Sequence, residues 1–272
     1  MKLIKRMVLT MTKKKIPPTR FPDAVSVTYY RSTRKMIREL GKETLHVFDQ
    51  RIKPEIKSYQ REDGKFYLAD GPLDVIRRVF EWLKDIGRRI FSGKRIEEVV
   101  RSFVVNINAF NKLNVAAQAG VRGIELPKHE KWLDDFMKLA IHENVNYITT
   151  IRDDYFTKIE AIVYQGVKNG KSIKEIRDQL VKEIGMTEKR AQFIAVDQSG
   201  SILGQMTAKR HKSIGAGKFK WSTSGDERVR PSHRALSDNV YSYDDPPSVG
   251  LPGTDYRCRC VGIPVFDDEE EM

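Results

Sequence analysis

SILGQMTAKRHKSIGAGKFKWST, residues 201–223, passes from one kind of structure to another. Ile202, Leu203 and Met206 recur at helical spacing up to Ser213. Gly215 and Gly217 then break the pattern, and Phe219-Lys220-Trp221-Ser222-Thr223 alternates as a strand does. Upstream the chain reads as helices. Downstream it is rich in Gly, Pro, Ser, Asp and Tyr. The fold class expected is α+β, predominantly α-helical, with a long helical N-terminal region followed by a small mixed α+β C-terminal domain.

Working towards the N-terminus, Thr187 is a cap for the helix that ends near Ser213, with Phe193 and Ile194 on its buried side. Ser172 with Glu175 forms a capping box for a preceding helix through Ile173, Ile176, Leu180 and Ile184, which Gly185 ends. A long helical region opens at Pro127-Lys128 and stops at Asn169-Gly170. Another helix spans Ile96 to about Ala119. Leu73, Ile76, Val79, Phe80, Leu83, Ile86 and Ile90 form an apolar stripe, with Arg77, Arg78, Lys84, Arg88 and Arg89 off it. Val25 to Gln60 favours helix, broken or kinked at Pro54, and residues 60–72 read as a loop. The organisation expected is a flexible basic arm at 1–23, a helical region at 24–186, a C-terminal domain at 187–265 and an acidic tail at 266–272.

Composition narrows the function classes. The 272 residues carry 49 Lys+Arg against 37 Asp+Glu, a net charge of +12, which favours an acidic partner such as nucleic acid. Met1–Lys15 has only a short apolar run, too short for a signal peptide or anchor. No stretch approaches the ~20 apolar residues of a membrane span, so no membrane association is expected. The two cysteines, Cys258 and Cys260, stand too close for an unstrained disulfide. A soluble, intracellular origin is the expectation.

Two segments after Gly215 carry the chemistry. One runs from Trp221 through Asp226, Arg228, Val229, Arg230, Pro231, Ser232 and His233 to Leu236. The other is Pro252-Gly-Thr-Asp255-Tyr-Arg-Cys258-Arg259-Cys260. Pro231 suits the first turn of a short helix. On a strand over 257–265, Cys258 and Cys260 point to one face. With His233 alongside they offer three zinc ligands, and Asp226, Asp238 or Asp255 could complete the set. The alternative is two buried cysteines and a hydrogen-bonded His holding a loop. His233 with Asp226 or Asp238, and Arg230 steadying an anion, would suit general-base catalysis. No phosphate loop, paired-carboxylate motif or His-Glu-x-x-His is present, so no enzyme is expected. Lys209, Arg210, Lys212, Lys218 and Lys220 form the densest basic run of this half. With Trp221 as a stacking surface they are the candidate DNA contacts.

The ordered set Trp221, Asp226, Arg228, Val229, Arg230, Ser232, His233, Leu236, Cys258, Arg259 and Cys260 resembles the signature of the phage Mu F-like, head-morphogenesis family. The resemblance covers about residues 187–265. Val196 stands where Arg is common in the family, beside Asp197-Gln198. The resemblance implies a minor head protein of tailed, double-stranded DNA phages, made in the host bacterial cytoplasm. It implies incorporation into the procapsid near the portal protein, contact with other head proteins, and a link to DNA packaging, retention or ejection. The virion, inside the capsid, is the implied location. An enzyme or toxin-like domain using His233, Arg230 and Asp226 is the alternative.

Overall fold

The computed structural model describes residues 15–58 and 72–266. The run Met1–Lys14, most of the loop read at 60–72, and the acidic run Asp267–Glu271 lie outside the described residues. Apolar residues at three- and four-residue spacing build α1 (Asp23–Val47), which buries Met36, Ile37 and Leu40. Pro54 does not break the chain. The helix widens into a π-helical turn at Phe48–Ile52 and continues as α2 (Lys53–Ser58). A proline lacks the N–H of a normal helical bond and crowds the preceding turn, which the wider turn relieves.

Four longer helices follow. α3 (Pro72–Ile90) starts on a proline, suited to a first turn. α4 (Gly93–Val121) is capped by Ser92 and closed by Gly123, which has positive φ, through Ile124 N–H to Ala119 O at 3.0 Å. α5 (Leu133–Lys168) begins later than Pro127, because residues 124–131 are held irregular. Ile124 and Leu126 pack into a small apolar cluster there, and the Glu130 side chain turns inward to Arg210. α6 (Ile173–Ser213) is one helix of 41 residues, opened by the Ser172–Glu175 capping box. Gly185 does not end it, so the 186/187 boundary falls inside a continuous helix. That glycine is exposed with open space around it, and the mid-helix penalty of about 0.5–1 kcal/mol is small beside the flanking burial of Ile176, Leu180 and Ile194.

α6 is the axis of the molecule, packed against α1, α4 and α5. The chain then turns into β1 (Lys218–Ser222), α7 (Pro231–Leu236), β2 (Val240–Ser242) and β3 (Val261–Val265). The strands form an antiparallel sheet in the order β2-β1-β3. β2 falls within the stretch rich in Gly, Pro, Ser, Asp and Tyr. β1 alternates as read, with Phe219 and Trp221 inward. β3 packs on α6, and its Val261 joins the helical core. The architecture is therefore predominantly α with a small α+β part.

The prolines at 17, 18 and 22 keep residues 15–22 out of helix and strand, yet the segment is pinned. The Thr19 hydroxyl donates to Gly262 O at 2.7 Å and accepts from Gln118 Nε2 at 2.8 Å. Phe266, the first residue of the stretch read as acidic tail, is buried with Val115, Ala119 and Ile214. No described helix is long and apolar enough to cross a membrane.

Candidate metal centre

Trp221 sets the floor. Its place on β1 turns the indole inward, fully buried, edge-on to the His233 ring at 5.6 Å. Pro231 starts α7 two residues before His233, and the six-residue helix delivers the imidazole to the same point. Cys258 and Cys260 arrive from a loop, because β3 begins only at Val261. Strand alternation does not bring them together. Arg257, in a left-handed conformation, reverses the chain just before Cys258.

The loop is seated by α6. A Cβ on Gly200 would lie 2.5 Å from Cys258 O and 2.6 Å from Gly253 O, and one on Gly204 would lie 2.2 Å from Pro252 O. Only a helix notched by two glycines, one turn apart, lets the backbone of 252–258 approach so closely. Asp197 on the same helix accepts from the Arg257 amide at 2.9 Å. Its neighbour Gln198 accepts from Asn144 at 3.1 Å, tying α6 to α5. The acid–amide pair beside Val196 therefore has a structural use.

His233 Nδ1 lies 3.4 Å from the Cys258 sulfur and 3.6 Å from that of Cys260. Its Nε2 lies 3.0 Å from Asp255 Oδ2. With that carboxylate accepting from Nε2, Nδ1 is the ring nitrogen turned to the sulfurs. Asp255 is held in turn by Arg230 Nη1 at 2.6 Å, and Arg230 also donates to Tyr256 O. Asp255 is thus the partner of His233. Asp226 binds Arg228 and Arg259, and Asp238 sits on the turn before β2, 3.8 Å from Lys220. Neither carboxylate positions His233. Ser232 is exposed on α7, outside the cluster.

The hydrogen bond from Cys260 pulls the Cys258 thiol down to about 6, and the same bond with burial pushes Cys260 up. The hydrogen bond from Arg228 holds the Asp226 carboxyl below its ordinary value.

The donor set fits zinc. All three ligand atoms lie within 4.8 Å of one another. Two ligands on a tetrahedral zinc, one N and one S, stand about 3.5 Å apart at ordinary bond lengths, which matches the two N···S distances. The buried Trp221 Nε1 has no ordinary hydrogen-bond partner, yet it lies near enough to Cys260 to favour the charged sulfur. A thiolate held on a cation would accept that N–H. Asp255 behind the ring is the carboxylate that usually orients a metal-binding His.

The basic run is not wholly at the surface. Arg210 is fully buried in a bidentate pair with Glu130 (2.8 and 2.7 Å) and bonds to Asn108 and Asn111. It is not available to DNA. Trp221, buried, cannot stack on bases. Lys209 is exposed above the Trp132 ring, Lys212 meets Asp244 at 2.5 Å, and Lys218 and Lys220 are half-buried on β1. On α3, Arg77, Lys84 and Arg88 each pair with a carboxylate one turn away. Phe193, read as buried, lies at the surface near Tyr256 with Arg257 over its ring.

Residues 157–263 match the family described as Phage Mu protein F like protein. This part of the chain is similar to that family. Every residue of the His233–Cys258–Cys260 cluster, with Trp221, Asp255 and the Gly200–Gly204 notch, falls inside the matched segment. A curated relative from Haemophilus influenzae, named only as an uncharacterized protein, is 30% identical over 228 residues, covering 79% of this chain and 50% of its own length. The chain thus spans about half the length of that relative. No solved structure matches it.

Proposed function

We propose that this chain is a minor head protein of a tailed, double-stranded DNA phage or prophage. It is built into the procapsid beside the portal, lies inside the capsid, and serves DNA packaging, retention or ejection rather than catalysis. The observation that carries this reading is the use of the Mu F-like signature. Trp221, Asp226, Arg230, His233 and Arg259 are engaged with one another or with Asp255 and Asp23, as a scaffold requires. In this reading residues 24–186 supply docking surface to other head proteins and residues 187–265 are the compact module. Mass spectrometry of purified procapsids and virions tests it. The chain should be present at low copy number and co-purify with portal protein. Absence from both particles would refute it.

His233, Cys258 and Cys260 hold a structural zinc in this reading, a cation that would cross-link α7 to the 252–260 loop. Metal analysis of the purified chain should find stoichiometric zinc, lost together with thermal stability in Cys258→Ser and Cys260→Ser. Lys209, Lys212, Lys218 and Lys220 make sequence-independent phosphate contacts with duplex DNA. Such contacts weaken steeply with salt. Binding that is unchanged between low and high salt would remove that part of the reading.

A further inference from the structure

We propose that the metal held by His233, Cys258 and Cys260 keeps one coordination position open to an arginine-lined cleft, and that this position takes a phosphate oxygen. The proposal rests on the reading of these three side chains as ligands and goes one step past it. Among the described residues three donors converge, and no further His, Cys, Asp or Glu joins them. Zinc takes four ligands, and three protein ligands leave a place for a small molecule. The nearby carboxylates are committed elsewhere: Asp255 to His233 Nε2 and Arg230, Asp226 to Arg228 and Arg259.

The direction of the open position follows from the walls. Trp221 closes the side towards the sheet. The three ligand residues themselves line a cleft of about 390 Å³ that also contains Arg228, Arg230, Arg257 and Arg259, against the carboxylates Asp23 and Asp226. A guanidinium has five N–H donors, so the pairs seen here leave donors over. Arg228 uses its backbone N–H and Nη2 on Asp226 and keeps a side chain 66% exposed. Arginine forks match phosphate oxygens two at a time. A phosphate has four oxygens, enough to give one to the metal and others to two arginines, where a carboxylate has only two.

Cobalt replaces zinc in thiolate sites and reports coordination through its visible bands. The full chain, stripped of metal, is titrated with Co²⁺ and then with inorganic phosphate. The expected result is a stoichiometric thiolate–cobalt spectrum whose ligand-field bands shift saturably as phosphate is added. Arg228→Gln should leave the cobalt spectrum intact and weaken the phosphate response about tenfold, the loss of one charge-assisted contact. A short DNA duplex that produces the same shift identifies a phosphodiester as the source, and a response to inorganic phosphate alone identifies the free anion. A cobalt spectrum indifferent to both probes overturns the open position while leaving the metal site standing. No thiolate–cobalt spectrum at all overturns the metal reading itself.

Discussion

Asp255 carries one carboxylate oxygen against His233 and the same oxygen against Arg230. Asp255→Ala removes the acceptor that fixes the ring's proton on Nε2. Metal affinity should fall roughly 10–100-fold, read by competition with a chromophoric chelator; an unchanged affinity would show that the ring needs no such partner. Buried ionic groups behave differently. Arg210→Met leaves Glu130 buried without its cation and should cost about 3–5 kcal/mol in urea unfolding, whereas Lys209→Ala, at the surface, should stay within about 0.5 kcal/mol. His211 is fully buried between Tyr243 (2.5 Å) and Gln118 (2.9 Å), and burial lowers its pKa from 6.5 to about 3. Between those values the unfolded chain binds a proton and the folded one does not. Stability present above pH 6.5 is therefore lost as the pH falls, by about 2 kcal/mol at pH 5. His211→Gln should flatten that slope, and parallel pH curves for the two proteins would falsify the assignment. Sequence named His233, Cys258 and Cys260, but offered Asp255 only as one of three possible fourth ligands and paired His233 with Asp226 or Asp238, since order along the chain carries no distance. Arg210 was legible in hindsight. It lies four residues after Met206 and seven after Leu203, on the buried stripe of α6.

At the scale of elements, helix existence was legible and helix ends were not. The Ser172–Glu175 box and the Asn169-Gly170 stop stand where the residues put them, because capping is local chemistry. The start of α5 was misplaced because the residues before it are engaged with distant parts of the chain, Ile124 and Leu126 in an apolar cluster and Glu130 with Arg210. The glycines of α6 show the same division. Gly185, in open space, invites a helix stop from sequence and makes none. Gly200 and Gly204, one turn apart, are what the 252–258 loop rests on. Gly185→Ala should stabilise by about 0.5–1 kcal/mol. Gly200→Ala places a methyl within 2.6 Å of two carbonyl oxygens and should lower both the melting temperature and metal affinity. Calorimetry of the two variants checks the contrast, and equal shifts would sink it.

For the molecule as a whole, the texture change after Gly215 correctly announced a helical body followed by a small mixed part. It gave no hint that the two share material: Val261 of β3 packs in the helical core, while Ala208 of α6 packs with Phe219 and Trp221. Shared packing predicts a single cooperative transition. Removing metal with a chelator should lower the melting temperature of the entire chain; two separated transitions would mean that the parts unfold independently. The pinning of the first described residues has a consequence of another kind. Ile16 lies against the cluster that contains Phe266, so the two ends of the described fold leave from one place. Such a body hangs from any adjoining polypeptide as a pendant. Tension along that polypeptide passes across the junction of the ends without having to run through the helices.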